Sequence, residues 1–230
     1  VGLRRVGVAP GAELVELVRL IRRLPGLRFR GIAFYPGHIK RMDDAGMAAL
    51  EEVDALISEA AAEIERDGHP IELVSGGSTP ALFESHRIGR MNEIRPGTYI
   101  FNDRNTWMTG ACELEQCAAF MLTTIVSTAV ADQIIVDGGS KTFSSDRCAA
   151  PEAAGYGYFP GSPNAVLEKM NEEHGFVDVR EEQRNWRVGE KIRIIPNHIC
   201  VAVNLHERVY GIRGERVEEV WEVEARGKLQ

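Results

Sequence analysis

The stretch LRFRGIAFYPGHIKRMDDAGMAALEEVDALISEAAAEIERDGHPIELVSGGSTP, residues 27–80, decides the fold. It opens with an apolar run over 29–35 that Pro36-Gly37 closes, the signature of a short strand. Over 44–67, Leu50, Val53, Ile57, Ala60 and Ile64 recur at helical spacing, and Gly68 ends that helix. A second apolar run, 71–74, is closed by Ser75-Gly76-Gly77-Ser78-Thr79-Pro80. Strand, long helix and strand in that order require a crossover, hence parallel strands. Working outward, 4–8 reads as a strand ended by Pro10-Gly11. A helix fits 13–24, where Leu14, Leu17, Val18, Ile21 and Leu24 share a face before Pro25-Gly26. Tyr99 falls in a further strand over 99–101. Units of this kind build either an open doubly wound sheet or a barrel. The first strand is not followed by GxGxxG, which weakens the dinucleotide-binding open sheet. Taken together, these first hundred or so residues correspond to about half of an eight-stranded barrel.

Downstream of Trp107 the long helices stop. A Thr/Val/Ile-rich run over 117–131 suggests strand, and so do 133–137, 177–179, 191–195, 199–204, 208–212 and 217–225. Turns fall at Val188-Gly189-Glu190 and Arg213-Gly214, and a Pro/Gly-rich loop spans 151–163. The expected architecture is therefore α/β plus β: the C-terminal half of a TIM-type (β/α) barrel over 1–105, then an antiparallel β domain over 106–230.

A chain of 230 residues can bury a real core in one large domain or two modest ones. Its net charge of −7 makes it a poor ligand for nucleic acid or an anionic membrane surface. No apolar run approaches the length of a membrane span. Cys112, Cys117, Cys148 and Cys200 form no CxxC pair, which favours reduced thiols and a cytoplasmic setting over a disulfide framework. The chain opens at Val1 on what reads as the end of a turn and a strand, so a fragment is expected.

Five local patterns bear on chemistry. Ser75–Pro80 combines glycines and hydroxyls after a strand, which suits either a phosphate cradle or a plain turn. Arg95-Pro96-Gly97-Thr98-Tyr99 sets an arginine before a turn, for a cofactor or simply for solvent. Tyr35-Pro36-Gly37-His38 lies at the strand end where barrel chemistry sits, and also fits ordinary turn chemistry. Asp137-Gly138-Gly139-Ser140-Lys141 is a polar corner in the β half. In Pro196-Asn197-His198-Ile199-Cys200, a strand would set His198 and Cys200 on one face. An imidazole and a thiolate suit a borderline-soft divalent metal, although two ligands alone do not define a metal site.

Together, RRVGVAPG…LPGLRFRGIAFYPGH, VSGGSTP, EIRPGTYIFND, VDGGSK, WRVGEKIRIIPNHICVAVNL and WEVEARGK resemble the D-threonine aldolase/D-serine dehydratase family. These are alanine-racemase-like pyridoxal-phosphate enzymes, and the resemblance runs along nearly the whole chain. It implies a lyase acting on D-3-hydroxy amino acids, either D-serine dehydration or D-threonine cleavage. Two cofactors are implied, pyridoxal 5'-phosphate and a divalent metal, zinc in preference to manganese. By position, Arg5 would lie beside the cofactor and Tyr35 against its ring. Gly77, Ser78 and Thr79 would hold its phosphate, with Gly97, Thr98 and Tyr99 adding donors and Arg95 aligning with the arginine that faces the pyridine nitrogen in alanine racemases. His198 and Cys200 would bind the metal, with His198 counted as catalytic. Cys200, where aldolases often carry a carboxylate, tilts the choice toward dehydration. The family's Schiff-base lysine would lie upstream of Val1, since Lys40, Lys141, Lys169, Lys191 and Lys228 all stand in other contexts. A homodimer is implied, with a small D-amino acid as the partner in chemistry. An amino-acid racemase on the same scaffold is the main alternative. A cofactor-binding protein without turnover and a metal hydrolase on a barrel fit less well.

Overall fold

The computed structural model describes residues 2–3, 5–150 and 154–228. The chain divides into two compact units, Val1–Gly97 and Thr98–Gln230. The first unit contains α1 (Ala12–Arg23), β1 (Gly31–Ala33), α2 (Asp44–Arg66), β2 (Leu73–Gly76) and β3 (Glu93–Ile94). Its three strands are parallel in the order β1-β2-β3. α2 is the crossover, and its sequence marks both ends. Asp43 caps it by accepting the Gly46 N–H at 2.9 Å, and Gly68, at φ +83°, takes the left-handed turn after it. Between them Leu50, Val53, Ile57, Ala60, Ala61 and Ile64 are buried. Leu50, Val53 and Ile57 pack with Phe34, Val74 and Ile88. Ala60 and Ile64 meet Leu14 and Val18 of α1, so one stripe of α2 serves both the sheet and its neighbouring helix.

Two expectations for this region fail. Of the strand expected at 4–8, Arg4 lies outside the described residues, and 5–8 form no strand. Gly7 interrupts the extended backbone at φ +92°. Thr98–Ile100 is a turn of 3₁₀ helix instead of a strand. Both the Phe101 and Asn102 N–H groups fold back onto the Thr98 carbonyl, and Asn102 sits at φ 53°.

The second unit is antiparallel throughout. It contains β4 (Met121–Ser127), β5 (Gln133–Val136), β6 (Gly157–Tyr158), β7 (Val166–Met170), β8 (Gly175–Asp178) and β9 (Lys191–Pro196), in the order β6-β9-β4-β5-β8-β7. Its two ends come together where the Tyr156 N–H donates to the Leu167 carbonyl at 3.0 Å, so the sheet is nearly closed into a barrel. Gly155 permits the approach, because a Cβ there would stand 2.6 Å from the Leu167 oxygen. Ile125, Ile134, Val136, Phe143, Phe159, Leu167, Val177 and Ile194 form the core inside it. The hairpin of β10 (Arg208–Arg213) and β11 (Arg216–Glu222) turns at Gly214, φ 60°.

Three short helices complete this unit: α3 (Arg104–Met108), α4 (Ser140–Phe143) and α5 (Ile199–Leu205). α5 overturns the strand expected at 199–204. Ile, Cys and Val favour extended backbone on their own. Here Ile199 and Ala202, three apart, are both buried, and the Ile199 N–H is taken by the Asp103 carboxylate at 3.0 Å. An anionic acceptor at that end favours the helix.

Candidate active site

Each unit presents a site at which its elements converge. In the first, the parallel strands end side by side. Tyr35 follows β1 by two residues, Gly77 follows β2 directly and Arg95 follows β3 directly. Backbone bonds tie these ends, Phe34 N–H to the Ser75 carbonyl at 2.9 Å and Arg95 N–H to the Gly76 carbonyl at 2.8 Å. The Arg5 guanidinium lies 5.4 Å from the centre of the Tyr35 ring, a cation–π distance. The Arg95 side chain reaches the Phe34 carbonyl at 3.5 Å. Gly76 admits no side chain, since a Cβ would fall 2.3 Å from the Phe34 ring, and Gly77 holds φ +93°.

Gly77, Ser78 and Thr79 are buried, yet their N–H groups have no acceptor among the described residues. Buried N–H groups are seldom left so, and a row of them at a strand end is an anion-binding arrangement. The Ser78 Oγ accepts the Ala81 N–H at 3.4 Å, which leaves its own O–H as a further donor beside the backbone.

In the second unit, Asp103, at the start of α3, is fully buried. Its Oδ1 accepts the Thr106 N–H at 2.8 Å and faces the Thr106 hydroxyl at 3.0 Å. Its Oδ2 accepts from His198 Nδ1 at 3.1 Å and from the Ile199 N–H. His198 caps α5, and Cys200 stands two residues on, near enough for the imidazole and the thiol to bias each other's titration. Thr98 Oγ1 lies 3.6 Å from the Cys200 sulfur. Hydrogen bonding to Asp103 first, then to Cys200, pushes the His198 pKa up to about 10. The same contact with His198 holds the Cys200 thiol below its ordinary value, with Thr98 assisting. Both shifts act in one direction, toward a proton on the imidazole and away from the sulfur.

His198 and Cys200 therefore stand together at a helix start rather than on one face of a strand. Thr98 and Tyr99 belong to the second unit, with Thr98 against Cys200 and Tyr99 half exposed. Gly97 closes the first unit, where a side chain would meet nothing within 4 Å. Lys141 is a surface residue paired with Glu173 at 2.8 Å. Sequence reading missed Asp103. The available signal was Asp-x-x-Thr before a short helix, a capping pattern; nothing local tied it to His198, 95 residues on. Among the described residues, no three His, Cys, Asp or Glu are grouped to hold a metal. No helix of the described residues is long and apolar enough to cross a membrane.

The geometry has counterparts in known proteins. The model of the "Putative serine dehydratase domain" matches residues 118–212, and that of the alanine racemase N-terminal domain matches 1–105. The 3-hydroxy-D-aspartate aldolase of Paracoccus denitrificans is 31% identical over 236 residues, covering 99% of this chain and 59% of that protein. The crystal structure of D-threonine aldolase from Filomicrobium marinum matches with a TM-score of 0.86 at 27% identity, over 99% of this chain and 62% of that one. D-threo-3-hydroxyaspartate dehydratase from Delftia sp. HT23 matches with a TM-score of 0.84 at 27% identity, over 96% of this chain and 63% of that one. Solved variants of that dehydratase replace a histidine by alanine and, in a metal-free form, a cysteine by alanine, at positions two apart. The chain thus has an alanine-racemase-like fold with a β domain, and along nearly its whole length it is similar to members of the D-threonine aldolase/D-serine dehydratase family. It spans about three-fifths of the length of these relatives.

Proposed function

We propose that this chain carries the metal-binding and phosphate-binding parts of a pyridoxal-phosphate- and metal-dependent lyase for D-3-hydroxy amino acids. The observation that carries the reading is the His198–Cys200 pair, with Asp103 buried behind the imidazole. Its two-residue spacing equals that of the substituted histidine and cysteine in the dehydratase variants, one of which is metal-free. The donor set fits a borderline-soft ion, and zinc suits a thiolate better than manganese does. His198 Nδ1 is occupied by Asp103, which leaves Nε2 for the metal, and Cys200 is exposed. Two protein ligands leave coordination positions for water and substrate. A bound divalent ion supplies Lewis acidity at the substrate's β-hydroxyl.

The loop after β2 fits the cofactor phosphate through the free N–H groups of Gly77, Ser78 and Thr79. Arg5, Tyr35 and Arg95 gather around the same strand ends, where a cofactor ring would be stacked and tuned. Gly97, Thr98 and Tyr99 follow on from this edge in sequence, and Thr98 serves the sulfur of Cys200 in addition or instead. When bound, pyridoxal phosphate supplies an electron sink for charge developing at Cα. The half-barrel reading of 1–105, a homodimer and a cytoplasmic setting belong to the same proposal.

Dehydration and retro-aldol cleavage share this constellation, and Cys200 inclines it toward dehydration. The test is an assay of the full-length protein, supplied with pyridoxal phosphate, on D-serine, D-threonine and D-3-hydroxyaspartate, with and without a chelator. We expect a keto acid from dehydration, or glycine with an aldehyde from cleavage, and loss of either on chelation. Lyase turnover that survives chelation would remove the metal from this reading, and chelator-insensitive inversion at Cα would replace it with a racemase.

A further inference from the structure

The two oxygens of the Asp103 carboxylate do separate jobs. Oδ1 serves α3, through the Thr106 N–H and hydroxyl. Oδ2 serves the far segment, through His198 Nδ1 and the Ile199 N–H. The carboxylate is wholly buried, and no lysine or arginine among the described residues pairs with it. The backbone of the metal-bearing turn is held independently: Asn105 N–H donates to the Asn197 carbonyl at 3.2 Å, and Arg104 Nη1 to Asn197 Oδ1 at 3.3 Å. Asp103 is thus not the sole tie that brings His198 near. What it adds is an acceptor that only a protonated Nδ1 can satisfy. The imidazole, about one-third exposed, then presents its opposite nitrogen outward.

We infer that Asp103 is the positioning residue of the proposed metal centre, fixing the His198 ring and tautomer so that Nε2 is the metal-binding nitrogen. This rests on the metal reading of His198 and Cys200 given above. Carboxylates behind ligating histidines do this work in metal sites generally, and losing one typically costs about ten- to hundredfold in metal affinity.

The experiment uses the full 230-residue chain. Zinc affinity is measured by competition with a chromogenic chelator, and cobalt is substituted to read the thiolate-to-metal absorption band. In Asp103→Asn, an amide N–H set toward His198 would demand an unprotonated Nδ1, place the proton on Nε2 and block the metal. We expect a loss of about ten- to hundredfold and a weakened band. Thr106→Ala removes the hydroxyl contact to Oδ1, keeps the backbone one and leaves Oδ2 on His198, so it should bind as the parent does. Equal affinity in Asp103→Asn and the parent would overturn the inference while leaving the metal reading intact. Equal losses in both variants would also overturn it, by reducing Asp103 to a helix cap. A parent that binds neither metal removes the metal reading, and this inference with it. Should Asp103→Asn not fold, ¹⁵N spectra of the zinc-loaded parent decide: metal on Nε2 with a proton on Nδ1 is expected, and metal on Nδ1 overturns the inference.

Discussion

Thr98 shows how far a single contact moves a residue's role. Its place in the motif Arg95–Tyr99 points to a cofactor phosphate, but its hydroxyl lies 3.6 Å from the Cys200 sulfur. A hydroxyl beside a thiol favours the thiolate, and Thr98 contributes to the depressed Cys200 pKa after His198. Thr98→Val keeps the shape and removes the donor. In metal-free protein the Cys200 titration should move upward, read as slower alkylation by iodoacetamide at pH 7 with the plateau rate at high pH unchanged. Thr98→Ser should restore the parent profile. An unshifted profile in Thr98→Val would return Thr98 to the phosphate role alone.

The junction of α3 and α5 is where sequence reading and structure part. The long helix α2 was legible because its buried stripe repeats every three or four residues and its cap lies next to it. β5 and β9 were legible because apolar runs there end in turn residues. ICVAVNL, 199–205, was not: its residues favour strand, and what makes it helical is a carboxylate nearly a hundred residues upstream. His198 and Cys200 could be singled out from the sequence as a candidate pair, but the helix start they share and the aspartate behind the imidazole were invisible to local pattern. Arg104 belongs to the same junction. Its Nη1 donates to the carbonyls of Ala154 and Gly157 at 2.7 and 2.9 Å and to Asn197 Oδ1, while its Nε is buried without a partner. No carboxylate balances it among the described residues, so it bonds carbonyls at the cost of a buried charge. Arg104→Met removes that charge and also strips three acceptors. With each charge-assisted bond worth about 1.5–3 kcal/mol, partly offset by relieved desolvation, a net loss of about 2 kcal/mol is expected. Urea denaturation measures it; a variant as stable as the parent would show that the buried charge, not the bonds, dominates.

At the scale of the molecule, a net charge of −7 is spread over a surface of exposed ion pairs, and the two ends of the pH range act on it through different physics. Glu72 beside Arg28, Glu173 beside Lys141 and Asp178 beside Arg180 are all held below their ordinary values by those partners. For such groups the stabilisation is present above the unfolded pKa, about 4, and is lost as pH falls through the folded one. These pairs are exposed, so salt should screen them. Cys117 sits at the opposite end. Burial first, then the neighbouring Cys112, pushes its thiol up to about 12. A raised folded pKa gives stabilisation that is full below the unfolded value, about 8.5, and is lost as pH rises toward 12. From pH 8.5 to pH 10 that loss is at most about 2 kcal/mol, since each unit of pH carries 1.36 kcal/mol. The two limbs can be told apart. In 1 M NaCl the acid limb should flatten, because the Debye length falls to about 3 Å. The part of the alkaline limb that belongs to Cys117 should persist in salt, because desolvation is not screened, and should vanish in Cys117→Ala. Stability curves of parent and variant, each at low and high salt from pH 3 to pH 10, separate the terms. An alkaline limb identical in Cys117→Ala and the parent would mean that the buried thiol does not set it.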